Sequence, residues 1–436
     1  MQTLDYSSSD GLARLEALYT RPACPPEIEE RVRAIVGEVM MSGDAAVFAQ
    51  IKKFDGADLN AATVRVSEQE IADAEAQVSA KLKSAVALAI RHVRDFAKET
   101  IPSSWISPAR EGVLLGEQFN PMQRVACYVP GGTAPLVSSA IHTVAIAKAA
   151  GVPEIVAATP PRKDGTINPA TLYALKKAGA TEIYKMGGAT AIAALAYGTS
   201  TIRPVEKIVG PGNAYVAAAK RLVYGRVAID MVAGPSEVMV IADKTANPEW
   251  IAADMLSQAE HGSGLEQAVL VTDSKELLSD VHDAILRQAD SLTRQGPLRK
   301  VIENGIYLIL APNLDIAAEI GSKYAPEHLE LQGMQARKLL RKIKAAGAIF
   351  LGEWTPEPAG DFTAGPSHVL PTAGTAKFFH GITAGDFIRR SSILSYTEQA
   401  LAADKKALLM FAETEGLDGH GRSISIRFDP AFSKKK

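Results

Sequence analysis

From Arg124 onward, short β-branched runs alternate with alanine-rich runs of helical length, and this alternation limits the fold more than any other feature of the chain. VACYVP, EIVAAT, EIYKMG and KIVGPG have the texture of strands. VSSAIHTVAIAKAAG, PATLYALKKAG and ATAIAALAYG lie between them and read as helices. A second series follows, with AIDMV, EVMVIAD, QAVLVTD and YLILAP as strands and PEWIAADMLSQAEH and SKELLSDVHDAILRQADSL as helices. AGAIFLG adds a later strand-like run. Strands separated by helices of this length predict βαβ units and parallel sheets. No internal repeat stands out.

The stretch before this series has a different period. PEIEERVRAIVGEVMMSGDAAVFAQIKKF and ATVRVSEQEIADAEAQVSAKLKSAVALAIRHVRDFAKET repeat apolar residues at three and four spacing, with acids early. That predicts a helical segment over roughly the first 115 residues. His92 falls on such a helix and reads as a surface or packing residue. The chain ends in a small mixed tail whose last run, SISIRF, reads as a strand. The expected division is an arm over 1–25 and a first α/β domain from 26–123 and 236–375. A second domain is expected over 124–235 and a tail over 376–436.

A length of 436 residues predicts two to four domains, enough to leave a cleft. The formal net charge of -2 gives no sign of a polyanion-binding surface. No run of about 18 apolar residues occurs, and the N-terminus lacks a continuous apolar stretch, so neither a spanning helix nor a secretory signal is expected. Two cysteines, Cys24 and Cys127, do not make a disulfide framework. A reduced, cytoplasmic setting is expected, with any metal held by nitrogen and oxygen ligands. Cys127 lies in an apolar run and reads as a buried strand residue.

Four glycine-rich turns follow expected strands: PGGTAP (130–135), MGGAT (186–190), GPGNAY (210–215) and AGPSEV (233–238). Such turns let backbone N–H groups approach an anion at a helix N-terminus. None is a GxGxxG with an acid about 20 residues on, nor a Walker loop. Read alone, they fit cofactor loops and ordinary α/β turns alike.

The chemistry-bearing residues come later. Asn247 and Pro248 start a helix that runs to about Gly262. Gln258 and His261 share a face of it, with Asp254 one turn earlier. They fit a metal-binding pair or a polar helix end facing solvent. Ala325-Pro326-Glu327-His328-Leu329-Glu330 places a carboxylate beside an imidazole. That pair can supply a base near neutral pH and a carboxylate for water, or it can be a capped helix start with a surface His. GDFTAGPSHVLPTAGT (360–375) reads as a long structured loop carrying Asp361 and His368. Glu415 and His420 flank a glycine-rich helix end near the C-terminus. Two His, an Asp and a Gln make a four-ligand set suited to Zn²⁺.

SQAEHG, YAPEHLEL, GDF through HVLPT, GPGNAYV with AKR, and IDMVAGPSEV together resemble the histidinol dehydrogenases, in the family's order and from about Glu27 to Arg427. The resemblance implies a homodimeric NAD- and zinc-dependent enzyme that oxidises L-histidinol to L-histidine through the aldehyde. It implies an α/β fold with two incomplete Rossmann-like domains. It makes Glu327 and His328 the acid/base pair, and Gln258, His261, Asp361 and His420 the ligands of one zinc per subunit. These ligands and His328 also face the substrate. Ser236, His368 and Glu415 become further substrate contacts, and Tyr128, Thr190 and Asn213 NAD contacts.

Some positions depart from the family pattern. Thr190 replaces a frequent Gln, Phe362 a frequent Tyr, and His142 falls in a segment that usually carries Tyr-Pro-Ser and Met-Asn. The GSGLEQ loop is one residue longer than usual. Two other functions fit the same fold. One is a paralogous dehydrogenase of another small polar alcohol, and the other is a non-catalytic relative. Retention of Glu415 and His368 weighs against the first, and of all ligands and both bases against the second.

Overall fold

A computed structural model of the chain describes residues 1–21, 26–131, 135–261 and 263–432. Cys24, the centre of PGGTAP, Gly262 and the final Ser-Lys-Lys-Lys lie outside the described residues. The chain divides into two compact units, residues 1–101 with 122–387, and residues 102–121 with the segment from 388 on.

The first unit opens with β1 (Gln2–Asp5), α1 (Ser9–Leu18), α2 (Pro26–Ser42), α3 (Asp44–Phe54), α4 (Glu68–Gln77) and α5 (Ala80–Glu99). The second unit claims β2 (Trp105–Arg110) and β3 (Val113–Pro121). The first unit resumes with β4 (Arg124–Tyr128), α6 (Val137–Ala149), β5 (Glu154–Thr159), α7 (Pro169–Ala178), β6 (Glu182–Lys185) and α8 (Gly188–Tyr197). Next come β7 (Lys207–Val209), α9 (Ala214–Val223) and β8 (Ala228–Ile229). These strands form a five-stranded parallel sheet ordered β6-β5-β4-β7-β8.

A second series follows with β9 (Glu237–Ala242), α10 (Pro248–Ala259), β10 (Gln267–Thr272), α11 (Lys275–Ala289), α12 (Gln295–Asn304) and β11 (Ile306–Leu310). It continues through α13 (Leu314–Tyr324), β12 (His328–Gln332), α14 (Ala336–Leu339), β13 (Ala348–Leu351) and α15 (Glu357–Phe362). With β1 these strands make a six-stranded parallel sheet ordered β1-β11-β10-β9-β12-β13. The second unit adds β14 (Ile388–Tyr396), α16 (Glu398–Thr414) and α17 (Asp418–Ser425). Its sheet is antiparallel, ordered β14-β3-β2.

The expected βαβ alternation is what forms. β4, β9 and β12 are buried along their whole length, as strands covered on both faces must be. The helix starts carry their signals: Asn168, Asn213, Asn247 and Asn313 each accept backbone N–H groups, and Ser67 with Glu70 forms a capping box.

Four expectations need correction. The first 115 residues are not purely helical, because β1 joins the six-stranded sheet and a strand begins at Trp105. SISIRF is helical: Ile426 N–H bonds to Arg422, and a 3₁₀ turn covers Ile426–Phe428. Its alternating Ile and Phe mimic a strand, but a run without a neighbouring strand gains nothing by extending. The long loop expected from Gly360 starts later, since α15 holds Asp361 and Phe362. Finally, the helices of 26–54 do not join the sheet of 236–375, and α4 and α5 pack on α7 and α6. Val32, Val36, Val39, Val47 and Ile51 pack with Ala126, Val156, Ile192 and Val216, so α2 and α3 cover the five-stranded sheet.

Both sheets reverse direction once. In the five-stranded sheet β5 and β6 lie on one side of β4, and β7 and β8 on the other. In the six-stranded sheet β10 and β11 lie on one side of β9, and β12 and β13 on the other. Open α/β sheets bind ligands at such switch points, outside the carboxyl ends of the strands.

Candidate functional site

His328 opens β12 and pairs in register with Val238 of β9 and Ala348 of β13. Glu327 precedes it, after Ala325 in the left-handed region (φ 52°) at the end of α13. The pair therefore stands at the amino ends of β9 and β12, not at the carboxyl-end crevice. Gly347 N–H donates to Pro326 O at 2.8 Å and Ala348 N–H to Glu327 O at 2.9 Å, which fixes the Pro-Glu backbone. A Cβ on Gly347 would lie 2.5 Å from Glu327 O, so this approach needs glycine.

The main chain of one residue, Glu237, orients both side chains. Glu237 N–H donates to Glu327 Oε2 at 2.9 Å, and Glu237 O lies 3.0 Å from His328 Nδ1. A carbonyl only accepts, so Nδ1 carries a proton, and Nε2 is the nitrogen that holds the lone pair once the ring is neutral. Glu237 is itself held by Arg21, whose Nε lies 2.7 Å from Oε1, and by Ala373 N–H at 3.0 Å. Sequence reading missed this residue, although it sits next to Ser236 in AGPSEV. Ser236 itself is half-buried just ahead of β9.

His328 Nε2 faces Asp361 Oδ1 at 3.7 Å and Glu357 Oε1 at 4.0 Å. His261 Nε2 lies 4.0 Å from Asp361 Oδ2. Atoms of His261, Glu357 and Asp361 lie within 4.8 Å of one another. Gln258 is fully buried on α10, and its Nε2 lies 2.6 Å from His261 Nδ1. His261 follows the helix end, which comes at Ala259 and earlier than expected.

Gln258 Oε1, Glu357 Oε1 and His328 Nε2 are buried without a hydrogen-bond partner. Buried polar atoms left unpaired are costly, and two of these, His328 Nε2 and Glu357 Oε1, lie 4.0 Å apart beside Asp361. The donor set is nitrogen and oxygen, as a zinc site requires. The residues present fit such an ion. Glu357 is a candidate the sequence did not signal, since it lies in no motif. Ser257 Oγ donates to it at 3.0 Å, and its own N–H donates to Glu330 Oε1 at 3.1 Å. Glu330 and Asp254 share Gln332 Nε2, at 2.6 and 3.1 Å. These contacts tie β12, α10 and α15 together.

The electrostatics of these side chains follow from that crowding. Burial raises Glu327 to about 8, against the pull of His328. Burial alone would lower His328, but Glu327, Asp361 and Glu357 outweigh it and raise it to about 10. Burial and Asp361 raise Glu357 to about 7. Burial opposes ionisation of Asp361, yet His328, His368 and His261 hold it well below the usual carboxylate range. A bound cation would reverse this field and free His328 of its proton.

The other expected residues fall in several places. His368 is half-buried on the loop after α15, with Nδ1 3.1 Å from Asp361 O and Nε2 3.2 Å from Ser139 Oγ. It stacks on His142, which burial first, and then His368, lowers to about 3. Glu415 caps α16 and His420 lies in α17, both exposed in the second unit.

Tyr128 ends β4 at the switch point of the five-stranded sheet, and its hydroxyl accepts Gly188 N–H at 3.1 Å. Thr190 turns inward, its Oγ1 donating to Gln50 Oε1 at 2.8 Å. Asn213 is exposed and caps α9. Gly210 (φ 121°) passes so close to Tyr128 O that a Cβ would sit 2.1 Å away. Its N–H donates to Asp230 Oδ2 at 2.8 Å and its carbonyl accepts from Lys220 Nζ at 3.0 Å. Lys220 and Asp230 form a buried ion pair. This rigid glycine turn at a switch point suits a nucleotide cofactor.

A histidinol dehydrogenase family model matches residues 21–428. The chain is 44% identical to the histidinol dehydrogenase of Heliobacterium mobile over 402 residues, covering 92% of this chain and 94% of that one. Identity to the Bacillus licheniformis histidinol dehydrogenase is 46% over 401 residues, covering 92% and 93%. The crystal structure of histidinol dehydrogenase from Elizabethkingia anophelis is similar over 99% of each chain, with a TM-score of 0.93 and 36% identity.

Proposed function

Because the chain belongs to the histidinol dehydrogenase family, and is thus an oxidoreductase, we propose that it oxidises L-histidinol to L-histidine with NAD and one zinc ion per subunit. The observation that carries this reading is the meeting of unpaired buried atoms of Glu357 and His328 beside Asp361, with His261 and its neighbour Gln258 adjoining.

Gln258, His261 and Asp361 are the proposed zinc ligands in the first unit, with His420 as the fourth and Glu357 within reach of the same ion. Bound zinc would supply a fixed anchor for the neutral imidazole and amine of the substrate. Bound NAD would accept hydride. The chain's own residues do the proton chemistry. His328, with Nδ1–H on the Glu237 carbonyl, offers Nε2 to the alcohol proton as the C–H bond gives up hydride. The product is an aldehyde. Glu327 then takes a proton from the water that adds to that aldehyde, while His328 returns its proton to the carbonyl oxygen and so frees Nε2 again. His328 takes the hydroxyl proton of the hydrate as the second hydride leaves, which yields the acid. Two neighbouring titratable groups with separate duties suit this order of steps.

Ser236, His368 and Glu415 are proposed substrate contacts, and Tyr128, Thr190 and Asn213 proposed neighbours of NAD. With Thr190 and Tyr128 hydrogen-bonded internally, main-chain groups of the glycine turns are the better-supplied donors for the nucleotide. A homodimer in the cytoplasm completes the proposal. No helix among the described residues is long and apolar enough to cross a membrane. Metal analysis with NAD reduction on histidinol tests the reading. Zinc-loaded protein that reduces NAD with histidinol supports it, and inert or zinc-free protein overturns it.

A further inference from the structure

Helix α15 carries Asp361, and its C-terminal carbonyls have no partner within the helix. Thr363 N–H and Ala364 N–H both return to Ala359 O. Beyond Ala359, the carbonyls of Asp361, Phe362 and Thr363 are three further acceptors at this helix end. Each is taken by a different histidine ring. His368 Nδ1 lies 3.1 Å from Asp361 O, His142 Nε2 3.4 Å from Phe362 O, and His92 Nδ1 2.8 Å from Thr363 O.

We propose that His92, His142 and His368 form a triple imidazole cap on α15, and that this cap sets where the Asp361 carboxylate points. The proposal rests on the reading of Asp361 as a zinc ligand. A carbonyl accepts only, so each ring must place its N–H on the atom named, which fixes three tautomers. The remaining nitrogens agree with that assignment. His142 Nδ1 accepts His368 N–H at 3.2 Å, and His368 Nε2 faces Ser139 Oγ at 3.2 Å. Ser139 stands one turn before His142 on α6, so one face of that helix grips His368 at two points. The His142 and His368 rings stack at 4.6 Å with 14° between planes. Ser367 Oγ donates to His142 O at 3.1 Å and closes the loop onto α6.

The cap explains two residues that the proposed chemistry leaves idle. His92 reads from sequence as a surface or packing residue, and His142 as a departure from the family pattern. It also gives His368 a positioning role through Nδ1, and leaves Nε2, beside the Ser139 hydroxyl, as the atom for its proposed substrate contact. Groups that orient a ligand in this way change metal affinity when removed.

The test combines variants with a direct look at the rings. His142→Phe keeps the stack and loses both hydrogen bonds. His142→Gln keeps a donor and an acceptor. Chelator competition is expected to show zinc held about tenfold more weakly in His142→Phe, with kcat falling and the KM for NAD unchanged, while His142→Gln recovers most of the loss. Equal zinc affinity in His142→Phe and wild type, or equal losses in both variants, overturns the proposal. Imidazole ¹⁵N spectra of the wild type guard against a variant that fails to fold. They should show His92 and His368 protonated at Nδ1 and His142 at Nε2, and any other assignment overturns the cap. Wild type that binds no zinc removes the reading of Asp361 as a ligand, and the cap then stands or falls on the spectra.

Discussion

Glu237 serves the site through its main chain, giving an N–H to Glu327 and a carbonyl to His328. This fixes the imidazole with Nε2 toward Asp361, the orientation a base needs. His328→Asn should lower kcat by about 10²-fold or more for both alcohol and aldehyde while zinc stays bound, as metal analysis and assays on each substrate would show. Glu327→Gln should slow aldehyde oxidation more than alcohol oxidation, and equal losses would refute its part in activating water. Acidity offers a separate check on Glu327. It binds its proton more tightly folded than unfolded, since burial raises it from 4.5 to about 8. Its contribution to stability is complete below the unfolded value and is lost as pH rises through about 8. Metal-free wild type should therefore lose stability relative to Glu327→Gln between those pH values, measured by urea unfolding at each pH. The pair itself was legible, because a carboxylate beside an imidazole after proline is an uncommon grouping. Its orientation was not, since a peptide group leaves no mark in sequence. Glu357 was missed because it sits in no motif and becomes part of the site only when α15 folds over β12.

Three elements meet at the site, and each brings its residues by a different route. β12 carries His328 and, on the same face two residues later, Glu330. α10 brings Gln258 and His261, and α15 brings Glu357 and Asp361. The strand start tolerates little change at its neighbour Gly347, where a methyl group would lie 2.5 Å from Glu327 O. Gly347→Ala should destabilise the protein by about 1–3 kcal/mol in urea unfolding and lower activity with it. Unchanged stability would show that this backbone can yield. The strand–helix alternation was readable because β-branched and alanine-rich runs differ in composition as well as period. SISIRF misled because Ile424, Ile426 and Phe428 alternate like a strand, whereas helix or strand there is decided by hydrogen-bond partners. The helices of 26–99 showed their own period but not their destination. Which sheet an amphipathic face covers depends on contacts such as Val47 and Ile51 against the five-stranded sheet.

At the scale of the molecule, the two parallel sheets use opposite ends. The five-stranded sheet presents its switch point, with Tyr128 and Gly210 at the carboxyl ends of β4 and β7. The six-stranded sheet presents the amino ends of β9 and β12, with Glu237, Glu327 and His328. His261→Asn should weaken zinc binding by at least about tenfold, read by metal content after dialysis against a chelator. Full zinc occupancy in that variant would remove His261 from the ligand set. The most direct test of the whole account is a single-turnover experiment with zinc-loaded protein, limiting histidinol and excess NAD. The account predicts two NADH for each histidinol, histidine as the product and no aldehyde trapped by an external reagent. One NADH per histidinol with free aldehyde, or none, would contradict it.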